Sequence, residues 1–324
     1  MNIRPFGWRD IPLLISYRKQ GLFLDSTRAL IHGPALIPMG AFLPFLGPTT
    51  RIFTYRCVSP STEPVIGQVT YAKGASYARL SFLAPENAME LHDLSALSDF
   101  MAVQMGSRGA FHILADIDES RPVYHLLHRA GFAVYARQRI WRLDGGAIGE
   151  ADAVAWRASR SVDLLDIRSL YCDVVPGLVQ QVEPLPKKSL KGFVQYHDGN
   201  LCAYVELKYG RYGIWVQPYV HPDAEGFDRQ LLYLLRTLPG RRNRPLYICI
   251  RSYQSWLESA VEALGAQQGP RQAVMVRHLT IAQRAKQTYP LPAAMNGTHP
   301  EPTAPIARID ESQPMEFCEV EKRT

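Results

Sequence analysis

A cluster of carboxylates follows a short apolar segment in the first half of the chain. Phe111-His-Ile-Leu-Ala115 is typical of a buried strand, and Asp116, Asp118 and Glu119 come directly after it. Ligands often bind beyond the ends of such strands, where a carboxylate could bind an amine or accept its proton. The alternative interpretation is a solvated acidic turn in which one carboxylate caps the next helix.

Two histidines lie close together a little further along the chain. His125 and His128 are three residues apart within a predicted helix, a spacing that could seat a metal ion. No third ligand is visible nearby in the sequence, and such pairs are usually surface residues. We therefore predict no metal site.

Basic residues form two short groups in the second half. Gly240-Arg-Arg-Asn-Arg244 is a basic loop that could contact phosphate, and Lys187, Lys188 and Lys191 form a looser group. The whole chain is nearly balanced, with 36 Lys and Arg against 30 Asp and Glu and a net charge of +6. We therefore interpret both groups as solvated loops and predict no nucleic-acid partner.

Composition places the protein among ordinary globular chains. It has 324 residues, of which 47% are hydrophobic and 20% charged, which favours two folded domains. The five cysteines are scattered and form no Cys-x-x-Cys pair, which argues against a disulfide framework or a zinc site. The N-terminal residues lack the apolar core of a signal peptide, so we expect a cytoplasmic protein.

The apolar segment from Ala29 to Gly47 could be mistaken for a membrane span. Pro34, Pro38 and Pro44 interrupt it. A span exposed to lipid must satisfy its backbone hydrogen bonds within a helix, and three prolines oppose this. We predict no membrane association. The segment is then either a buried loop or irregular helix, or an apolar surface for a protein partner.

The two halves of the chain show the same order of predicted elements. In the first half, strands are predicted over 2–5, 51–57, 65–71, 77–83 and 111–115, helices over 8–17, 88–105 and 121–130, and a hairpin over 132–143. In the second half, strands are predicted over 153–157, 192–196, 201–208, 212–218, 246–250 and 272–281, and helices over 162–175, 227–238 and 256–264. This order indicates a duplicated α+β unit.

The closing units of the two halves give the best single match. His128-Arg-Ala-Gly-Phe132 leads to Ile140-Trp-Arg-Leu143, and Val261-Glu-Ala-Leu-Gly265 leads to Val276-Arg-His-Leu279. In each, a helix stops at a glycine and a strand follows. We predict domains over 1–143 and 152–282, a linker over 144–151 and a disordered proline-rich tail over 283–324.

Leu127-His-Arg-Ala-Gly-Phe132 is similar to the helix-to-strand ending of the GNAT family of acyl-CoA-dependent N-acetyltransferases. The resemblance implies an α+β fold of two tandem GNAT-like domains, each a mixed, mostly antiparallel sheet flanked by helices. It also implies an N-acetyltransferase that uses acetyl-CoA and acts on a small-molecule or peptide amine. The alternative is a non-catalytic binding or scaffold protein that has kept this fold and lost the chemistry.

In this family, the pyrophosphate of coenzyme A binds backbone N–H groups at the start of the helix that follows the meander, in a glycine-containing turn. The corresponding stretch of the first half, from Ala84 to Ser95, contains no glycine and is acidic. In the second half one glycine remains. The resemblance therefore assigns cofactor binding to the second half, at Val220, Gly226, Phe227 and Arg229, although Asp223, Glu225 and Asp228 crowd the same turn.

The family commonly uses a tyrosine hydroxyl as an acid toward the departing thiolate, four residues before the glycine of Gly-Phe. Leu127 and Val261 stand at this position in the two halves, and neither can donate a proton. Tyr124, one helical turn earlier, could substitute; the alternative is a packed core tyrosine. The resemblance then assigns the general base to Asp116 or Glu119.

Overall fold

The computed structural model describes residues 2–33, 50–60, 62–144, 156–186, 190–224 and 226–279. Residues Met1–Ile281 group into one compact unit. Most of the predicted linker, the apolar segment beyond Gly33 and the whole predicted tail lie outside the described residues. The boundaries of the two domains and the disorder of the tail therefore remain predictions.

The secondary structure alternates between helices and strands throughout both halves. The helices are α1 (Ile11–Ser16), α2 (Ser26–His32), α3 (Leu91–Gly106), α4 (Pro122–Arg129), α5 (Leu164–Val174), α6 (Gly177–Val182), α7 (Phe227–Thr237) and α8 (Glu258–Ala263). The strands are β1 (Asn2–Pro5), β2 (Leu22–Phe23), β3 (Thr50–Val58), β4 (Val65–Ala72), β5 (Tyr77–Ala84), β6 (His112–Asp118), β7 (Ala133–Leu143), β8 (Arg157–Ala158), β9 (Gly192–His197), β10 (Asn200–Tyr209), β11 (Ile214–Val220), β12 (Leu246–Arg251) and β13 (Gln267–His278).

The described strands form a single sheet that runs through both halves. Its order is β1-β3-β4-β5-β6-β13-β7-β12-β11-β10-β9-β8, and β2 pairs with β5. Two neighbouring pairs, β5 with β6 and β11 with β12, are parallel, and the other pairs are antiparallel. The sheet therefore reads the same from either edge, as a duplicated unit requires.

The last strands of the two halves are exchanged. β13, from the second half, lies between β6 and β7 of the first half, with Gln272 opposite Asp118 and His278 opposite His112. β7 in turn pairs with β12 of the second half, with Leu143 opposite Leu246. Each half thus completes the sheet of the other, so the two halves share one structure.

Helices cover both faces of the sheet. On one face, α3, α4, α7 and α8 bury apolar side chains such as Leu97, Leu127 and Leu231. On the opposite face, α1, α2, α5 and α6 bury side chains such as Ile31 and Ile167. We call the second face the α5–α6 face. Residues that alternate along a strand point to these two faces.

Each half begins with the same ion pair. Arg4 donates two hydrogen bonds to Asp10, both at 2.7 Å, and Arg157 donates two to Asp163, at 2.7 and 2.5 Å. Both aspartates are buried, and both also accept a backbone N–H from three residues earlier. This repeated arrangement fixes the first strand against the first helix in each half.

The predicted fold class is confirmed, with two local corrections. Residues 132–143 form no hairpin: β7 is one continuous strand, because it pairs with β13 on one side and β12 on the other. The start of the apolar segment is regular, since α2 extends to His32. Among the described helices, none combines the length and the apolar character needed to cross a bilayer.

Candidate functional site

Both parallel strand pairs separate after three residues. β5 pairs with β6 only where Tyr77–Arg79 face His112–Leu114. β11 pairs with β12 only where Ile214–Val216 face Leu246–Ile248. Beyond these points each pair opens into a wedge, which is the shape that insertion of the pantetheine arm of coenzyme A requires. The two halves differ in what fills the wedge.

The first wedge is filled by the chain itself. The backbone N–H of Leu24 donates to the carbonyl of Ser81 on β5 at 3.1 Å, and the N–H of Asp116 on β6 donates to the carbonyl of Leu24 at 2.8 Å. The N–H of Ser26, two residues further along, donates to the Asp116 carboxylate at 3.1 Å. Main chain therefore bridges β5 and β6 at this point, where a ligand would otherwise pair with the strands.

The side chain of Gln254 bonds to the open edge of β11 in the second wedge. Gln254 follows β12 and is 2% exposed. With its amide nitrogen turned toward the carbonyl of Pro218 and its amide oxygen toward the N–H of Val220, both distances are 3.0 Å. This amide forms the two hydrogen bonds that an inserted peptide-like group would form with β11. A ligand amide could form these two hydrogen bonds in its place if the Gln254 side chain moved.

The turn before α7 lies at the carboxyl end of β11. Gly226 has φ of +65°, and a side chain built there would meet no atom within 4 Å. Arg229 is exposed on the first turn of α7. Phe227 is 2% exposed and packs against Trp156, so it can offer a ligand only its backbone. Among the predicted cofactor residues, Gly226 and Arg229 are thus exposed, whereas Val220 is fully buried and its N–H is paired with the amide of Gln254.

The corresponding turn of the first half carries acidic side chains that already have partners. Arg121 contacts both carboxylate oxygens of Glu86 at 3.2 Å. Asp93, in the first turn of α3, is 2% exposed and accepts a hydrogen bond from Thr62 at 2.6 Å. A buried carboxylate at this helix start would repel a phosphate. The first half therefore does not fit coenzyme A.

The predicted catalytic residues do not come together. Asp116 lies on the α5–α6 face and is 4% exposed. Tyr124 lies on α4, on the opposite face, with its ring 5.1 Å from that of His125. Glu119 contacts Arg137 at 2.6 Å and Arg271 at 3.5 Å. Tyr124 and Asp116 are on opposite sides of the sheet, and Glu119 belongs to an ion-pair cluster at the strand ends.

The positions where the family carries its tyrosine are core positions here. Leu127 and Val261 are both fully buried. His125 and His128 are exposed on α4. Within the described part of the chain, no group of three or more His, Cys, Asp and Glu side chains is arranged to hold a metal ion.

A polar cavity of about 260 Å³ lies on the α5–α6 face, next to both wedges. Its floor is formed by Arg79 of β5, Asp116 of β6 and Arg251 of β12, and Glu183 closes it from the end of α6. Glu183 accepts a hydrogen bond from Arg79 at 2.6 Å and another from Arg251 at 2.7 Å. Arg79 also lies 3.7 Å from Asp116. We call these four residues the central charge network.

Several polar atoms of this network have no hydrogen-bond partner. They are Nε and Nη1 of Arg251 and Oδ1 of Asp116. Arg251 is 7% exposed, so its free N–H groups are largely withheld from bulk water. Burial raises the pKa of Asp116 despite the nearby Arg79. Burial would also raise the pKa of Glu183, but Arg251 and Arg79 outweigh it and lower that pKa to about 2.

Sequence reasoning found only one member of the central charge network. Asp116 was visible because it follows a buried strand, but Arg79, Glu183 and Arg251 come from three distant segments. A signal was available at Arg251, which directly follows the predicted strand 246–250. A charged residue at the end of a buried strand faces either solvent or a polar site.

No family model matches this chain, and no curated protein matches it. Solved structures do. A tandem GNAT protein from the clavulanic acid biosynthesis pathway is 13% identical, with a TM-score of 0.46, over 86% of this chain and 98% of that one. A GNAT-family acetyltransferase from Colwellia psychrerythraea is 14% identical, with a TM-score of 0.42, over 86% of this chain and 100% of that one. A GCN5-related N-acetyltransferase from Sphaerobacter thermophilus is 10% identical, with a TM-score of 0.44, over 69% and 80%.

The chain has the GNAT-like fold expected from its sequence. Each half runs strand, helices, three-strand meander, helix, strand, helix and strand, and each contains the wedge between its parallel strands. This order and these wedges carry the assignment. The identities above are too low for any activity to follow from the likeness.

Proposed function

We propose that the chain is an acyl-CoA-dependent N-acetyltransferase with one cofactor site, in the second half. The observation that carries the proposal is the difference between the two wedges. Main chain from Leu22 to Ser26 bridges the strands of the first, whereas a side chain, that of Gln254, bonds to the β11 backbone in the second. On this proposal the first half is structural.

The residues of the second half fit coenzyme A. The N–H of Val220 and the carbonyl of Pro218 would bind the pantetheine arm once Gln254 moves away. Gly226 leaves the start of α7 open to a pyrophosphate, and the helix N-terminus supplies partial positive charge. Arg229 would add a full charge. Bound acetyl-CoA would supply the activated acyl group.

The first test is stabilisation by the cofactor. Acetyl-CoA at a hundred times its Kd should stabilise the protein by about 2.7 kcal/mol, which a thermal melt detects. Gly226→Asp should abolish this shift, because it puts a carboxylate beside the pyrophosphate. Gly226→Asn is the matched control, since it imposes the same φ without the charge and should retain most of the shift.

A second control localises the site. Gly74, in the turn between β4 and β5, also has positive φ and no atom near a built side chain. Gly74→Asp should leave the shift with acetyl-CoA unchanged. A shift that survives Gly226→Asp would move the site elsewhere, and the absence of any shift with acetyl-CoA or CoA would refute the proposal.

A non-catalytic binding protein is the second candidate. The burial of Leu127 and Val261 favours it, because both halves then lack the usual proton donor. On this alternative the two hydrogen bonds of Gln254 are a permanent closure of the wedge. The wild type and Gln254→Ala together separate the two candidates: an enzyme should bind acetyl-CoA as the wild type and more tightly as Gln254→Ala, whereas a binding protein closed by Gln254 should show no binding as the wild type.

A further inference from the structure

The polar cavity that holds the central charge network, called the central cavity below, is lined by equal numbers of positive and negative side chains. Three cationic side chains line it, those of Arg79, Lys208 and Arg251. Three carboxylates also line it, those of Asp116, Glu183 and Glu206. The cavity is therefore neutral when all six are ionised. Placing a net charge in a largely buried, balanced site is costly, because the new charge lacks a compensating partner. A neutral occupant fits better than an anion or a cation.

The atoms of these lining residues that have no hydrogen-bond partner nevertheless have opposite character. Arg251 presents two N–H groups, Nε and Nη1, that donate to nothing within the described residues. Asp116 presents a carboxylate oxygen, Oδ1, that accepts nothing from them. Either N–H can donate to a carboxylate, and Oδ1 of Asp116, which lies 3.7 Å from Nη1 of Arg79 without a hydrogen bond, can accept from an ammonium group. Buried polar atoms without partners are uncommon in proteins and call for an explanation.

The size of the cavity limits what can bind. At about 260 Å³ it lies below the range of roughly 300–1,000 Å³ that is typical of pockets for drug-sized ligands. Its walls include the rings of Tyr77, Trp215 and Tyr219. A small molecule with one apolar part and two charged ends would fill such a space.

We infer that the central cavity binds a small zwitterion, a free amino acid or a close analogue, with its carboxylate on Arg251 and its ammonium group at Asp116. Gln217 and Tyr219 of β11 and Arg251 of β12 line both this cavity and the second wedge. The ligand would therefore lie beside the cofactor site and be the acceptor amine. That role rests on the proposed function, whereas the binding itself does not.

The test uses the full-length protein without any cofactor. The common L-amino acids are screened singly at about 10 mM by thermal melt, and each hit is measured by titration calorimetry. Two derivatives of each hit are included: its carboxamide, which lacks the anionic end, and its N-acetyl form, which lacks the cationic end. We expect at least one amino acid to bind and both derivatives to bind at least tenfold more weakly.

Two variants locate the ligand. Arg251→Lys keeps a cation opposite Glu183 but loses the Nε and Nη1 donors, and Asp116→Asn keeps a hydrogen-bonding group opposite Ser26 but loses the charge. Each should weaken binding at least tenfold. Arg139→Lys is the matched control, because Arg139 pairs with Glu258 outside the cavity, and it should leave binding unchanged. Circular dichroism of each variant shows that it is folded, and Asp116→Asn still tests the inference if Arg251→Lys is not.

The outcomes separate this inference from the proposed function. Binding of an amino acid without binding of acetyl-CoA would support the zwitterion site and refute the acetyltransferase. Acetyl-CoA binding with no amino acid bound at any concentration tested would support the acetyltransferase and refute the zwitterion site. The inference is also overturned if the carboxamide or N-acetyl derivative binds as well as the parent, or if neither cavity variant weakens binding.

Discussion

The carboxylate of Glu183 lies 2.7 Å from Nη2 of Arg251, although 68 residues separate them along the chain. Glu183 ends α6, and Arg251 ends β12, so this contact ties a helix of the α5–α6 face to the middle of the sheet. Arg79 of the first half reaches the same carboxylate. One side chain therefore joins the two halves through charge.

Glu183→Gln should destabilise the protein by about 3–5 kcal/mol, because removing one partner leaves buried charge uncompensated on two arginines. Chemical denaturation measures this difference. Glu258→Gln is the control: Glu258 pairs with Arg139, and both are about one-quarter exposed, so it should cost about 0–1 kcal/mol. Equal effects of the two substitutions would contradict the importance of the central charge network.

The same carboxylate should make stability depend on pH in acid. The pKa of Glu183 falls from 4.5 to about 2 on folding, so the folded state favours the ionised form. Its contribution is complete above pH 4.5 and is lost as the pH falls toward 2. The difference in stability between the wild type and Glu183→Gln should shrink over that range. A constant difference from pH 6 to pH 2 would contradict this.

The contribution of the Arg4–Asp10 pair to stability should also be lost as the pH falls. Burial opposes ionisation of Asp10, but hydrogen bonds from Arg4, the Gly7 N–H and Arg56 outweigh it and lower its pKa to about 2. Asp10→Asn should therefore cost about 1–3 kcal/mol at neutral pH and less below pH 4, measured by thermal melts. Asp198→Asn, in an exposed turn, is a control that should change the melting temperature little.

Gly210 lies where the two halves touch. A side chain there would overlap the carbonyl of Ile31 at the end of α2, the same carbonyl that accepts the N–H of Tyr212 at 2.9 Å. Gly210→Ala should destabilise the protein by about 1–3 kcal/mol, because backbone must move to admit the methyl group. Gly106→Ala, at the open end of α3, should be neutral or stabilising by up to about 1 kcal/mol. Denaturant titration of both variants checks this.

The exchanged strands predict that the halves do not fold separately. A fragment of residues 1–144 would lack β13, which pairs with β6 and β7, and β12, which pairs with the other edge of β7, so one edge of β6 and both edges of β7 would lose their partners. We expect it to be unfolded or aggregated by size-exclusion chromatography, and to become soluble when a fragment of residues 152–281 is produced with it. A stable, monomeric first fragment would contradict the shared sheet.

Local signals in the sequence predicted most elements of the fold correctly. Gly131 and Gly265 both end their helices with positive φ, as the matching closing units required. The apolar spacing predicted α3, and the turn residues predicted the meander of the second half. These elements depend on residues close together in the chain, so their propensities suffice.

Pairing across the chain could not be predicted in this way. Nothing in residues 267–278 says that their neighbours are β6 and β7, because an apolar strand fits between any two others. For the same reason, Arg79, Glu183 and Arg251 looked like unrelated charges. The repeated ion pair was readable in principle, since Arg4 and Asp10 stand six residues apart, as do Arg157 and Asp163.

The position of β13 also bears on how the protein is made. His278 pairs with His112, 166 residues earlier, so the first half lacks a central strand until residue 278 has left the ribosome. Contacts between residues this far apart in the sequence form slowly. The apolar edges of β6 and β7 therefore stay unpaired until β13 is available. During synthesis the protein should thus pass through a long-lived, partly folded nascent chain that tends to aggregate. The supply of chaperones should then limit the yield of native protein.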